Sequence, residues 1–348
     1  MKKSLLVLAA LTAFAGVASA QSSVTAFGIV DLAARNVKNA NAGSIKSLSS
    51  GGQATNRLGF RGVEDLGGGL RAGFWIESEV APDTGGAGST VAGVNVFWAR
   101  RATLSLIGGF GEIRMGRDLN VSYTSFGAFD PFGYVGVASV ANVRGQFLGL
   151  GGATTGVRSS NTITYYLPAM GGLYGGVMVG AGEGATGTKY TGIRLGYAAG
   201  PLNISGATAK TAKGGTMIDD LTTTNIGASF NMGFATIGGA FEKSDYSTLE
   251  SKLMTVYTTV PLGQGVLKAQ YSKSGGRIQY DAKMFGVGYV YNLSKRTSLY
   301  TNYGSINNGG TNASATAGAN FTTTGSGPAG MRRGETSTGY EFGVRHDF

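Results

Sequence analysis

The sequence predicts an all-β protein, a sixteen-stranded antiparallel transmembrane β-barrel, on three observations. Apolar residues alternate with small or polar ones at a period of two in many segments, as in strands that have two different faces. Compact turn motifs recur between these segments. Charged residues make up only 14% of the chain, against about 25% in soluble proteins, and glycine contributes 61 of 348 residues. Because the chain has no cysteine, its stability has to come from packing and from backbone hydrogen bonds, which a closed barrel pairs completely.

The first twenty residues predict a secretory signal peptide. Lys2 and Lys3 form a positive start, residues 5–17 are apolar, and residues 18–20 (Ala-Ser-Ala) form a small-residue cleavage motif. A membrane anchor is disfavoured because this run is too short for about 30 Å of hydrocarbon. We therefore expect a signal peptide over 1–20 and a barrel domain over 21–348. Losing Lys2 and Lys3 lowers the formal net charge from +10 to +8.

The alternation is clearest in the last nine residues. One face carries Tyr340, Phe342, Val344, His346 and Phe348, and the other carries Glu341, Gly343, Arg345 and Asp347. Similar patterns occur in residues 57–61, 70–77, 226–232 and 285–293. In each case the second face is small or polar, which suits the water-facing wall of a barrel.

Seven compact turns set the number of strands. They lie near residues 67–69, 108–109, 169–172, 200–201, 232–233, 262–263 and 294–295. From the third turn onwards the spacing is about thirty residues, the length of a hairpin of two strands with one longer outer loop. Seven turns with both termini at the same end make eight hairpins and sixteen strands. A solenoid or propeller would also be regular, but no repeated motif is present. A barrel of sixteen strands is too wide for side chains to fill, so it holds water.

One interval between turns is about twice as long as the others. The excess lies between Arg117 and Arg158 and is rich in apolar residues and glycine. Such a composition does not suit a solvated tail, so residues 119–157 are predicted to pack against the barrel wall from inside. A second long stretch, residues 304–335, is predicted to be an outer loop over the mouth.

Several motifs resemble those of one family, the general porins of β-proteobacteria. They are residues 21–31 (QSSVTAFGIVD), 57–70 (RLGFRGVEDLGGGL), 112–117 (EIRMGR), 289–297 and 343–348. The resemblance covers essentially the whole chain after residue 20 and is closest to the anion-selective porins of the group. It implies a channel in the outer membrane of a Gram-negative bacterium for passive diffusion of small hydrophilic solutes and ions. It also implies a homotrimer, a third external loop that folds inward and narrows the lumen, and an assembly signal at the C-terminal Phe348.

Arginines are the candidate selectivity residues. Alternation places Arg57, Arg101 and Arg158 on the polar face, and the same positions match the arginine cluster of the family. Because a local bulge could exchange Arg101 with its neighbour, Arg100 is a secondary candidate, as are Arg114 and Arg117. Arginine stays charged at any relevant pH, and cationic rings in a pore favour anions.

Glu77 and Asp130 are the expected opposing acids of the constriction. Glu77 is on the polar face of its predicted strand, and Asp130 is the only acid between Leu119 and Arg158. Many general porins carry a Pro-Glu-Phe-Gly-Gly loop tip, of which Asp130-Pro131-Phe132-Gly133 is a partial match. This departure favours anion preference. The alternative is that the basic residues mainly face lipopolysaccharide phosphates at the outer rim.

Other chemistry is disfavoured. The single histidine, His346, falls on the lipid-side face, so a Ser-His-Asp or metal-histidine site is not expected, nor is a cofactor or an enzymatic activity. Basic residues are dispersed rather than clustered with aromatics, which argues against nucleic acid as a partner. The expected partners are outer-membrane lipid, lipopolysaccharide and small solutes, anions among them. A substrate-specific channel for a particular anion or sugar remains the alternative function.

Overall fold

The computed structural model describes residues 23–40, 43–91, 94–144, 152–185, 187–215, 217–276, 281–309 and 334–348. The predicted signal peptide lies outside the described residues. Most of the predicted outer loop over residues 304–335 lies outside them as well.

A closed antiparallel barrel of sixteen wall strands forms the protein, as the sequence predicts. Strands β2 and β3 share one wall position, because β2 pairs with the second half of β1 and β3 with its first half. Three short strands, β5 to β7, lie in the connection between β4 and β8. The bounds are β1 (Ser23–Asn39), β2 (Gly43–Ser50), β3 (Arg57–Gly67), β4 (Leu70–Ala81), β5 (Gly86–Ala87), β6 (Ser89–Val91), β7 (Val94–Val96), β8 (Arg101–Gly108), β9 (Gly111–Leu119), β10 (Arg158–Tyr166), β11 (Leu173–Gly180), β12 (Tyr190–Ala199), β13 (Leu202–Thr211), β14 (Leu221–Asn231), β15 (Thr236–Tyr246), β16 (Leu249–Leu262), β17 (Gly265–Gly276), β18 (Ala282–Asn292), β19 (Thr297–Asn308) and β20 (Thr336–Asp347).

The last strand closes the barrel on the first. β20 pairs with β1 from Asn39 opposite Ser337 to Ile29 opposite Asp347. At the end of this ladder the Gly28 N–H donates to the Phe348 carbonyl at 3.0 Å, and the Phe348 N–H donates to the Gly28 carbonyl at 3.1 Å. The Phe348 ring lies directly over Gly28, where a Cβ would collide with it. The last residue of the chain is therefore part of the closing seam.

All seven predicted turns join consecutive wall strands at one end of the barrel, which we call the turn end. The β3–β4 turn shows why glycine is needed there. Gly67, Gly68 and Gly69 have φ of 83°, 61° and 81°, a left-handed conformation that residues with a Cβ adopt only at a steric cost.

The two faces of the wall differ as the alternation predicts. Exposed apolar side chains cover one face: Leu195 and Ile226 are each 55% exposed and Phe342 is 57% exposed. The alternate positions are polar and buried, for example Ser205, Asn225 and Glu341. An apolar outer band with a polar inner face is the arrangement of transmembrane barrels.

Two short helices follow β9. They are α1 (Val121–Gly127) and α2 (Ala141–Arg144). Among the described residues, no helix combines the length and the apolar character that crossing a membrane requires.

The stretch from residue 120 to residue 144, which we call the loop segment, packs against the polar face of the wall. Apolar side chains of the segment, among them Phe126, Phe129 and Val140, share a buried cluster with Leu253 and Met284 of the wall. Two wall glycines allow this close approach. A Cβ at Gly227 would collide with the Phe129 ring, and one at Gly286 would collide with the Ala138 carbonyl.

Candidate functional site

Charged side chains gather on the polar face of five neighbouring wall strands, β3, β4, β8, β9 and β10. The register places Glu77 opposite Arg101 and Arg114 opposite Ser105. Directly opposite residues in an antiparallel pair turn their side chains to the same face, so strand pairing brings Glu77, Arg101 and Arg114 to one face. Arg100, Arg117 and Arg158 join them through hydrogen bonds. We call the set the charged girdle. Its members are Arg57, Glu77, Arg100, Arg101, Glu112, Arg114, Arg117, Asp118 and Arg158.

Glu77 is held between two arginines. Its Oε1 accepts a hydrogen bond from Arg100 Nε at 2.6 Å and lies 3.5 Å from Arg57 Nη1. Its Oε2 accepts a third contact, from Trp75 Nε1 at 3.1 Å. The side chains of Glu77 and Arg100 are only 7% and 9% exposed. Removal of the Glu77 charge would leave Arg100 buried without an ion-pair partner among the described residues, which is costly.

Arg158 lies beside this triad, although the alternation argument that placed it there is wrong. Strand β10 pairs Ser159 with Asp118 and resumes with Thr162 opposite Gly116, so that β10 carries one extra residue. Asn161 at φ 56° marks this β-bulge. A bulge shifts the parity of the strand. Alternation with Thr162 and Thr164, on which the predicted face of Arg158 depends, is therefore interrupted between them and Arg158. The Arg158 Nε nevertheless donates to the Arg100 carbonyl at 2.8 Å.

Arg101 and Arg114 form a second group around Asp118. Arg114 Nη1 is 2.8 Å from Asp118 Oδ2, and its Nε is 2.8 Å from Glu112 Oε1. Arg101 Nε is 3.5 Å from Asp118 Oδ1, and its guanidinium lies 4.4 Å from the centroid of the Trp75 ring. Arg100 and Arg101 are therefore not alternatives, because each contacts a girdle acid, Glu77 in one case and Asp118 in the other.

Arg117 joins the girdle without an acid partner among the described residues. It donates from Nε to the Ala99 carbonyl at 2.6 Å and from Nη1 to Ser160 Oγ at 2.9 Å. Ser160 belongs to the β10 bulge, which lies opposite Arg117 in the β9–β10 ladder.

The girdle carries an excess of positive charge. Within this set, six arginines face three carboxylates, those of Glu77, Glu112 and Asp118, a formal excess of three positive charges. Charges in water at ordinary salt act over a Debye length of about 10 Å. A solute that passes this part of the wall therefore meets a local positive field.

Asp130 is not part of the girdle, which corrects the expectation that it opposes the arginines. Its buried carboxylate accepts hydrogen bonds from Phe132 N at 3.0 Å, Tyr134 N at 2.9 Å and Ser139 Oγ at 2.7 Å. Burial raises the pKa of the Asp130 carboxyl, against these hydrogen bonds, which favour the charged form. Asp130 therefore shapes the loop segment from within.

Buried charges of the wall hold the loop segment in place. Arg144 and Glu242 form a two-point ion pair, with Nε–Oε1 and Nη2–Oε2 both at 2.7 Å. Glu341 Oε1 accepts the Val137 N–H at 3.2 Å, and Lys268 Nζ donates to the Pro131 carbonyl at 2.8 Å. These contacts attach both halves of the segment to the polar face.

Sequence reasoning missed several of these residues. Asp118 and Glu112 share the parity of Arg114, so alternation along β9 could have found them. Glu242 could have been noted as an acid that alternates with the exposed aromatic Phe241, and Glu341 was placed on the polar face but was given no role. Their partners Arg144 and Val137 could not have been inferred, because they lie 98 and 204 residues away in the chain.

The closed barrel, its apolar outer band and its charged inner wall together define a porin. Residues 7–311 match the model of the Gram-negative porin family, and the chain belongs to that family. It is an outer-membrane protein of the channel-forming class. Among its relatives, Outer membrane porin protein 32 of Delftia acidovorans is 38% identical over 100% of both chains. An outer membrane porin protein of Bordetella pertussis is 30% identical over 88% of this chain and 94% of the relative.

Solved structures agree with this assignment. The structure described as the anion-selective porin from Comamonas acidovorans superposes with a TM-score of 0.83 at 36% identity. The match covers 94% of this chain and 100% of that chain. The prediction of a porin-type barrel is therefore confirmed.

Proposed function

We propose that the protein is a passive diffusion channel for small hydrophilic solutes and ions that prefers anions, and that the charged girdle sets this preference. The formal excess of three positive charges within the girdle carries the proposal. The anion-selective description of the Comamonas acidovorans structure supports it. Within the girdle, Arg57, Arg100, Arg101 and Arg158 are the basic selectivity residues, with Arg114 and Arg117 as secondary ones, and Glu77 is the opposing acid.

The loop covering residues 119–157 is the proposed constriction. Its described part, the loop segment, packs on the same polar face as the girdle and is attached there by Arg144, Val137 and Pro131. A segment that is fixed to the wall by one buried ion pair and two hydrogen bonds narrows the water-filled space and does not move to block it. Its apolar side chains pack against the wall, so the apolar surface that the segment exposes to solutes is small.

The remaining parts of the proposal concern targeting and assembly. Residues 1–20 are a signal peptide that is removed on export. The mature chain forms a homotrimer in a membrane of outer-membrane lipid and lipopolysaccharide. The Phe348 carboxyl end, which takes part in the closing seam, serves as the assembly signal. No enzymatic step, cofactor or nucleic acid is involved.

Planar-bilayer recording in a KCl gradient tests the central proposal. The expected reversal potential has the sign of anion preference, and its size falls at high salt because counterions screen the girdle. A reversal potential of cation sign would refute the selectivity. A protein that inserts but gives no ohmic current would refute the channel.

A further inference from the structure

An open recess of about 390 Å³ lies on the polar face toward the turn end and shares Arg101, Glu112 and Arg114 with the girdle. It is bounded by the first residues of β1 and by the parts of β3, β4, β8 and β9 nearest their turns. The recess therefore lies on the turn-end side of the Arg57–Glu77–Arg100 triad. A solute that has passed the triad on its way to the turn end would pass the recess next.

Arg61 distinguishes this recess from the rest of the wall. Its guanidinium lies 5.2 Å from the centroid of the Phe27 ring and 5.1 Å from that of Trp75. Among the described residues it has no ion-pair partner, whereas Arg101 and Arg114, which also line the recess, contact Asp118 and Glu112. When a guanidinium lies against aromatic rings, the rings contact its flat face and leave the N–H donors along its edge available. These donors match the two oxygens of a carboxylate.

The remaining lining combines apolar and polar groups. Trp75, Val63 and Ile107 contribute apolar side chains, and Gly73 contributes none. The polar members are Ser23, Thr25, Ser105 and Glu112, whose carboxylate is bound by Arg114. A Cβ at Gly73 would make ordinary van der Waals contact, 3.5 Å from Ile107 Cδ1 and 3.6 Å from the Gly62 carbonyl oxygen, so a side chain could be added there without a clash at its Cβ. Ligand sites commonly join such apolar walls to a few convergent polar groups.

We propose that this recess is a binding station for monocarboxylates that carry a compact apolar body, with the carboxylate on Arg61 and the body between Trp75, Val63 and Ile107. The inference rests on the proposed function, because it requires anions to enter the lumen. It goes beyond that function in naming a solute class and a site where passage is delayed. Small inorganic anions gain nothing from the apolar walls and pass without delay.

Benzoate is the probe, with benzamide as its uncharged analogue and acetate as its truncated analogue. The full mature chain is recorded in planar bilayers at constant KCl. Benzoate is expected to lower the single-channel conductance in a saturable way, at concentrations where benzamide and acetate have no effect. Equal block by benzamide and benzoate would overturn the proposal, and so would the absence of saturation.

Two variants test the site from opposite directions. Arg61→Gln removes the carboxylate partner and is expected to weaken the block by about tenfold or more, the value of a charge-assisted hydrogen bond. Gly73→Leu adds a bulky side chain to the lining at a position where its Cβ meets no clash, and it is expected to abolish the block. Arg296→Gln, an exposed arginine in the β18–β19 turn at the same end, is the matched charge control and is expected to leave the block unchanged. Unaltered block in Arg61→Gln overturns the proposal even if Gly73→Leu fails to fold.

Tryptophan fluorescence separates this inference from the proposed function. The chain has two tryptophans, and a Trp98→Phe background leaves Trp75 as the reporter in the recess. Saturable quenching by benzoate, lost in Arg61→Gln, supports the site without any current being measured. Anion-signed reversal potentials without quenching would overturn the binding station alone, whereas quenching with a cation-signed potential would overturn the proposed selectivity alone.

Discussion

Arg144 of the loop segment and Glu242 of strand β15 form a buried two-point ion pair that joins parts of the chain 98 residues apart. The Arg144 guanidinium also lies 5.0, 4.9 and 5.2 Å from the ring centroids of Tyr123, Phe126 and Tyr134. All three rings belong to the loop segment itself. Arg144 thus links the packing of the segment to its attachment on the wall.

Breaking this pair is expected to release the loop segment. Glu242→Gln leaves the Arg144 charge buried without its partner, a change that costs about 3–5 kcal/mol in comparable pairs. We expect a lower temperature of thermal unfolding and noisier single-channel currents. Circular dichroism and bilayer recording measure the two effects.

The matched control is Asp220→Asn. Asp220 pairs with Lys210 at 2.9 Å, but the two side chains are 29% and 54% exposed, and exposed pairs contribute about 1 kcal/mol or less. Quiet currents and unchanged stability in Glu242→Gln would show that the pair does not hold the segment.

Neutralising Glu77 is expected to strengthen anion preference. Glu77→Gln raises the uncompensated charge of the girdle from three to four, since the arginines around it remain. The reversal potential in a KCl gradient should move further in the anion direction, most clearly at low salt. The same potential measured for Asp220→Asn should not move, although that variant also loses one negative charge. A shift toward cations in Glu77→Gln would contradict the role of the girdle.

Replacing Arg57, Arg101 and Arg158 together by Gln is expected to lower anion preference with little loss of fold. Charges on a lumen wall tune ion selectivity and contribute little to the stability of the barrel. The removal of three positive charges cancels the excess positive charge of the girdle. The measurements are the reversal potential and the circular dichroism spectrum. An unchanged ion preference in a folded triple variant would refute the part assigned to these arginines.

A methyl group at Gly286 is expected to displace the loop segment. The Cβ of Gly286→Ala would collide with the Ala138 carbonyl, and overpacking of this kind costs about 1–3 kcal/mol. We expect reduced thermal stability and a changed single-channel conductance. Gly109→Ala is the control, because no atom lies within 4 Å of the added Cβ in that turn. Equal behaviour of the two variants would show that Gly286 is not needed for the close approach.

Much of the barrel could be predicted from local patterns. The faces of β20, the glycine turn at residues 67–69 and the total of sixteen strands all follow from features within a few residues of one another. The charged girdle was predicted less completely. Arg57, Arg101 and Glu77 were found by parity, but the parity argument failed at Arg158, where the β10 bulge shifts the register. Asp130 was assigned to the constriction because it is the only acid in its loop, and composition cannot reveal that its carboxylate is used by Ser139 and two backbone N–H groups.

The sequence by itself determined which residues face lipid and which face water, where the chain turns and how many times it crosses the wall. These properties depend on the period-two geometry of a strand and on the conformational freedom of glycine, both of which act locally. Only the tertiary structure decided which arginine meets which acid, how the loop segment is attached through Glu242 and Glu341, and where Arg61 borders the recess beside Phe27 and Trp75. Those contacts join residues that are far apart in the chain, and they exist only once pairing of β20 with β1 has closed the barrel and set every register.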